Sequence, residues 1–117
     1  MKIINKTKNT TVAEEAFLAN TFSSRVKGLL GRKDFRPPEA LIIQPCNSIH
    51  TFFMRFTIDV LFVDKNNKVI KSIPHLKPFR FTLIYFKASS AIELPAGTIE
   101  TTSTQQDDIL SFSSPPN

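Results

Sequence analysis

Between Ile58 and Val63 apolar residues fill both parities of the chain, with Ile58, Val60 and Phe62 on one and Leu61 and Val63 on the other. A half-solvated strand would alternate, so this run predicts a strand covered on both faces. Asp64 to Lys68 reads as a hairpin turn, Asn66 and Asn67 being suited to positive φ, and Val69 to Ile73 returns antiparallel. Further strands are expected at Lys2–Asn5, Val12–Ala19, Ala40–Gln44, Ser90–Leu94 and Ile109–Phe112. Phe79 to Phe86 is a weaker candidate, following a wide loop.

One segment has helical spacing. Phe22, Val26, Leu29 and Leu30 fall at i, i+4, i+7 and i+8, Thr21 or Ser23 offers an N-cap, and Gly31 closes at C′. Gly28 inside the last turns costs about 1 kcal/mol relative to Ala, which points to a close backbone approach there. Ala96–Thr102 is a second, shorter helical candidate, and Pro45–Ile49 reads as an irregular crossing. The expected fold is a single domain over residues 1–117, mainly β (α+β): a small barrel-like or rolled antiparallel sheet with one short helix. Residues 113–117 read as a polar tail that frays.

Composition narrows the chemistry. Eleven Phe against one Tyr and no Trp suit a β-rich interior, and three Gly are too few for a phosphate-cradling loop. A single Cys excludes an internal disulfide and an all-Cys zinc site. No apolar signal segment or membrane-length run is visible, so a cytoplasmic protein with no membrane partner is expected. Net charge is +5 and uneven: residues 65–87 hold Lys65, Lys68, Lys71, Lys77, Arg80 and Lys87 with no acid. With its interleaved aromatics this stretch could meet a nucleic-acid backbone or an anionic surface; the plainer reading, a solvated face whose lysines block edge pairing, is preferred.

Candidate chemistry concentrates between Cys46 and Asp64. Cys46 and His50 could form a nucleophile–base pair oriented by Asp59 or Asn47, a recurrent catalytic arrangement; the plainer alternative is a core thiol and a core imidazole. A zinc reading of Cys46, His50 and Asp59 with His75 or Glu93 lacks a tight ligand spacing, so no metal or cofactor is expected. Asp59 stands between apolar neighbours and calls for a cation: Arg25, Arg32 or Arg55. Glu93 would be a second carboxyl at that site, and the arginines would face a pocket for a small anion walled by Phe52, Phe53 and Phe56.

Three segments together resemble a known family. They are Thr21-Phe22…Arg25…Gly28-Leu29-Leu30-Gly31-Arg32, then Cys46…Ile49-His50-Thr51-Phe52-Phe53-Met54…Ile58-Asp59-Val60…Phe62-Val63-Asp64…Val69-Ile70, and Glu93-Leu94-Pro95-Ala96-Gly97. In this order they are similar to the prokaryotic domain-of-unknown-function family numbered 192 (DUF 192), over about residues 12 to 112. The resemblance implies a compact, mainly β fold with a short helix and no established enzymatic activity. Members usually place Gly in the hairpin where Asn66 and Asn67 stand, and Gly-Asp near the C-terminus where Asp107-Asp108 stands.

The function expected is binding of a small anionic ligand or a protein partner near Cys46–Arg55, by a monomer or weak dimer. Arg25, Arg32, His50, Arg55, Asp59 and Glu93 are the candidate binding residues. A cysteine-dependent enzyme using Cys46 and His50 is the rival; a nucleic-acid or assembly module using residues 65–87 is a third reading, and a nucleic-acid partner is not expected.

Overall fold

The computed structural model describes residues 1–113. The expected fraying of the tail lies, apart from Ser113, outside the described residues. In chain order the elements are β1 (Lys2–Asn5), β2 (Thr10–Ala13), β3 (Glu15–Ala19), α1 (Phe22–Lys27), β4 (Glu39–Ile43), β5 (Ile58–Val63), β6 (Val69–Leu76), β7 (Ser90–Pro95), α2 (Thr98–Thr102) and β8 (Leu110–Ser113). They build a three-stranded sheet, β2-β1-β8, and a five-stranded one, β3-β4-β7-β5-β6. The fold is mainly β, as expected. The sheets do not close into a barrel, and β3 runs parallel to β4, so the larger sheet is mixed rather than antiparallel.

β5 and β7 lie at the middle of that sheet and are buried along their whole length. Their side chains alternate between two cores. On one face Leu61, Val63, Ile92 and Leu94 pack with Ile3, Val12 and Leu110 of the small sheet. On the other, Val60, Phe62 and Ala91 pack with Leu29, Phe35 and Met54, which belong to the long connections. The apolar residues on both parities of β5 thus have the two covers that their pattern demands.

Four local expectations need correction. Val12–Ala19 is two strands: the chain leaves the small sheet at Glu14 and enters the large one, and the N–H groups of Glu14 and Glu15 both donate to the Pro38 carbonyl. The helix stops at Lys27, because Gly28, at φ 45° and ψ −126°, leaves helical space after its N–H bonds the Ser24 carbonyl. Of the expected helical face only Leu29 is fully buried; Phe22 and Val26 stay exposed. Phe79–Phe86 forms no strand, since positive φ at Phe79 breaks the pleat and its N–H groups are taken by the Asn47–Thr51 segment. At the two departures from the family pattern, Asn67 and Asp107 both adopt positive φ, 65° and 77°, the conformation for which glycine is ordinarily used.

Candidate functional site

A cavity of about 320 Å³ opens between the end of α1 and the Pro45–His50 crossing, against the covered face of the large sheet. Thr21 starts α1 with a capping box: its hydroxyl accepts from the Ser24 N–H at 3.1 Å, and its own N–H donates to Ser24 Oγ at 3.0 Å. Because α1 buries none of its residues, Phe22 and Val26 are left to wall the cavity, with Leu29, Ile43, Ile49 and Met54 supplying the remaining hydrocarbon.

Glu93 comes into this cavity by strand parity. It pairs across β7 with Val60 of β5 and Leu41 of β4, and shares its face with Ala91. The residue is only 4% exposed, and no hydrogen bond from a described residue reaches its carboxyl. Burial alone pushes its pKa up to about 7, from an ordinary value near 4.5. A Cβ at Gly28 would stand 3.8 Å from Glu93 Oε1, so the residue that ends α1 lies directly over the carboxyl. Both that distance and the 3.7 Å to the Arg25 carbonyl are ordinary van der Waals contacts, so the expected close backbone approach is not what selects glycine; its positive φ is.

Arg25 is the cavity's one guanidinium. Its Nη1 donates to the Pro45 carbonyl at 3.1 Å, tying α1 to the crossing, while its Nε is buried with no partner among the described residues. No ion pair joins it to Glu93 among those residues. Cys46 and His50 line the same cavity without a hydrogen bond between them. The thiol donates instead to the Ser48 carbonyl at 3.1 Å, and burial pushes its pKa up, with the nearby Glu93 adding to the effect. His50 is exposed, and its Nδ1 accepts from the Phe52 N–H at 3.3 Å. A thiol raised in this way is the reverse of an activated nucleophile.

The other expected site residues lie elsewhere. Asp59 belongs to the opposite face of the sheet from Glu93, so the two carboxyls do not share a site. Its partners are no arginine: Oδ1 accepts from the His75 N–H at 2.9 Å, and Oδ2 from the Gly97 and Ile99 N–H groups at 3.1 and 2.8 Å. Three backbone donors satisfy it fully, two of them at the start of α2. Arg32 is paired with Glu39 at 2.9 Å and lies over the Phe35 ring. Arg55 is exposed and lines no described cavity. No three His, Cys, Asp or Glu side chains converge on a metal-sized point among the described residues.

Sequence reasoning named Glu93 but placed it beside Asp59. The available signal was a carboxyl on the Ala91 parity of a strand apolar on both faces, with no polar neighbour to receive it. Thr51 was named only within the family motif, and its role was missed. Fully buried, its hydroxyl donates to the Lys77 carbonyl at 2.6 Å and accepts from the Arg80 N–H at 3.0 Å, which clamps the 77–80 loop to the 50–54 turn.

Fold and cavity together define a small two-sheet β domain with a largely apolar, ligand-sized cavity that encloses a carboxyl without a partner among the described residues. The chain belongs to the DUF192 family, described as Uncharacterized ACR, whose pattern matches residues 3–112. It is 36% identical over 116 residues to a UPF0127 protein of Pyrococcus horikoshii, covering 94% of this chain and 97% of that one. A UPF0127 protein of Pyrococcus furiosus is 34% identical over the same shares. Among solved structures, a protein of unknown function from Novosphingobium aromaticivorans superposes with a TM-score of 0.77 at 15% identity, covering 95% of this chain and 82% of that one. A putative transcription regulator from Sinorhizobium meliloti gives the same TM-score at 19% identity, over 94% and 89%. At these identities the structural likeness bears on the fold alone.

Proposed function

We propose that the domain binds a small organic anion with an apolar body, held in the cavity beneath α1. The carrying observation is Glu93, a nearly sealed carboxyl that faces the cavity with no partner among the described residues. The buried Nε of Arg25, with no partner among the described residues, is likewise costly to leave unsatisfied, and a ligand that accepts its hydrogen bond removes that cost. Phe22, Val26, Leu29 and Met54 would take the apolar body, while the Arg25 guanidinium and the protonated Glu93 carboxyl would both donate to the anionic head. His50 at the rim could add a donor when protonated.

Protonation of Glu93 then becomes part of binding. Ionised, it repels an anion; neutral, it donates to one. Affinity should therefore rise as pH falls through about 7. Benzoate is a suitable probe, having a planar apolar body and one carboxylate. Calorimetric titration should show binding that is tighter at pH 6 than at pH 8 and weakened about ten-fold or more by Arg25→Met. Equal affinity at both pH values, or equal affinity in the variant, would remove the reading. Native mass spectrometry of gently purified protein offers an independent check, because a retained organic anion adds a mass increment that neither a metal nor an oligonucleotide matches.

A further inference from the structure

Outside this cavity, a stretch of hydrocarbon is left in water. Phe53, Phe79, Phe81, Leu83, Ile84 and Phe86 are between 54% and 84% exposed. Single exposed apolar residues are ordinary, but clustered ones mark interaction surfaces. Four rings form a cluster: the Phe52 ring lies 6.3 Å from Phe79 and 6.5 Å from Phe81, and Phe53 lies 6.5 Å from Phe79; Leu83, Ile84 and Phe86 follow Phe81 closely along the chain.

The cluster is held in place rather than loosely draped. Buried Thr51 ties the 77–80 loop down through its hydroxyl, and its carbonyl accepts from the Phe79 N–H at 3.1 Å. Phe53 and Phe79 both sit at positive φ, 67° and 62°, a region that bulky residues avoid unless their surroundings enforce it. The N–H groups of Phe79, Arg80, Thr82 and Tyr85 are all spent on the 47–51 segment. The side chains this face offers to solvent are largely hydrocarbon. Its flanks are cationic: Arg55, Lys77, Arg80 and Lys87 are exposed, none is in an ion pair among the described residues, and no acid occurs between 65 and 87.

We infer that this face docks onto an anionic phospholipid surface, its rings and Leu83 entering the headgroup boundary while the four cations meet lipid phosphates. Charge complementarity selects this occupant. A second copy meeting the face symmetrically would set the same four cations against themselves with no acid to offset them. A single strand of nucleic acid would use the rings and the cations, but Leu83 and Ile84 have no π-face on which a base stacks. A protein partner would need acidic groups to offset the four cations, and is an outcome of the test below. Docking needs no spanning helix, and no described helix is long and apolar enough to cross a membrane. Docking departs from the expectation of no membrane partner, which rested on the absence of a spanning segment.

The test is cosedimentation of the full chain with vesicles of phosphatidylcholine, with or without phosphatidylglycerol. Binding should require the anionic lipid, weaken steeply with added salt, and fall about ten-fold for Leu83→Ser or Phe86→Ser, with thermal stability unchanged in either variant. Glu93→Gln should leave it untouched, which separates this surface from the cavity. Failure to bind the anionic vesicles would overturn the inference, as would binding indifferent to both substitutions. So would a dimer that buries these residues, or tighter binding to a single-stranded oligonucleotide.

Discussion

Asp59 on β5 and Glu93 on β7 occupy neighbouring strands and are both nearly sealed from water, yet their surroundings are opposite. Asp59 faces the side of the sheet where α2 begins, and three backbone N–H groups converge on it. Glu93 faces the cavity, where no described residue donates to it. Asp108 is likewise well partnered, by two side chains and one backbone N–H. Burial there would raise its pKa, but hydrogen bonds from Asn5, Lys8 and the Gln105 N–H outweigh burial and hold it below the usual range. Residue type and burial do not separate a structural carboxyl from a ligand-facing one. The number of partners does.

Removing each carboxyl sharpens the contrast most. Asp59→Ala should cost about 3–5 kcal/mol in urea unfolding, because it leaves three buried donors without an acceptor. Glu93→Gln should cost little at pH 8 or even stabilise, since no hydrogen bond is lost and an ionised buried group disappears. Comparable losses in the two variants would collapse the distinction.

The pH dependence is next in size. The unfolded chain releases the Glu93 proton near 4.5, and the folded chain keeps it to about 7. Between those values the native state holds one proton more, so stability should fall as pH rises, by about 3 kcal/mol in all, and level off above pH 7. Glu93→Gln should flatten that slope. Asp108 acts with the other sign: its contribution is present at neutral pH and is lost as pH falls below the ordinary Asp value of 3.8. The two windows are separate, so one denaturation series across pH resolves both.

Smaller effects probe the cavity wall. Arg25→Met should change stability by less than about 1 kcal/mol while removing most of the benzoate response, because its one hydrogen bond to the protein is solvent-facing. Cys46 should alkylate slowly at pH 7 with iodoacetamide and faster as pH rises past its raised pKa. Rapid reaction at pH 7 would restore the thiol as a nucleophile.

Much of this was legible in the residues. The doubly apolar β5 run, the Asn turn after it, the cap at Thr21 and the family's three motifs all pointed to the observed fold. Asp59 was recognisable as a buried acid needing partners, but a search confined to charged letters looked for arginines. The donors are backbone N–H groups at the start of α2, which no residue type advertises. Parity within β5 and within β7 was readable; which strand lies beside which was not, so the opposite facing of Asp59 and Glu93 stayed hidden. The spacing of Phe22 and Val26 with Leu29 looked like a buried helix face, but an early exit at Gly28 left the first two in solvent. The exposed rings of residues 79–86 read as a strand because the positive φ of a phenylalanine cannot be read from its neighbours.

The central claim is that Glu93 is an unpartnered, ligand-facing carboxyl. Carbon-13 NMR titration of the glutamate carboxyls, with the Glu93 signal assigned by its loss in Glu93→Gln, tests it most directly. The account predicts a midpoint near 7 in the free protein, moving upward at saturating benzoate. A midpoint in the ordinary range near 4.5, unmoved by benzoate, would contradict it.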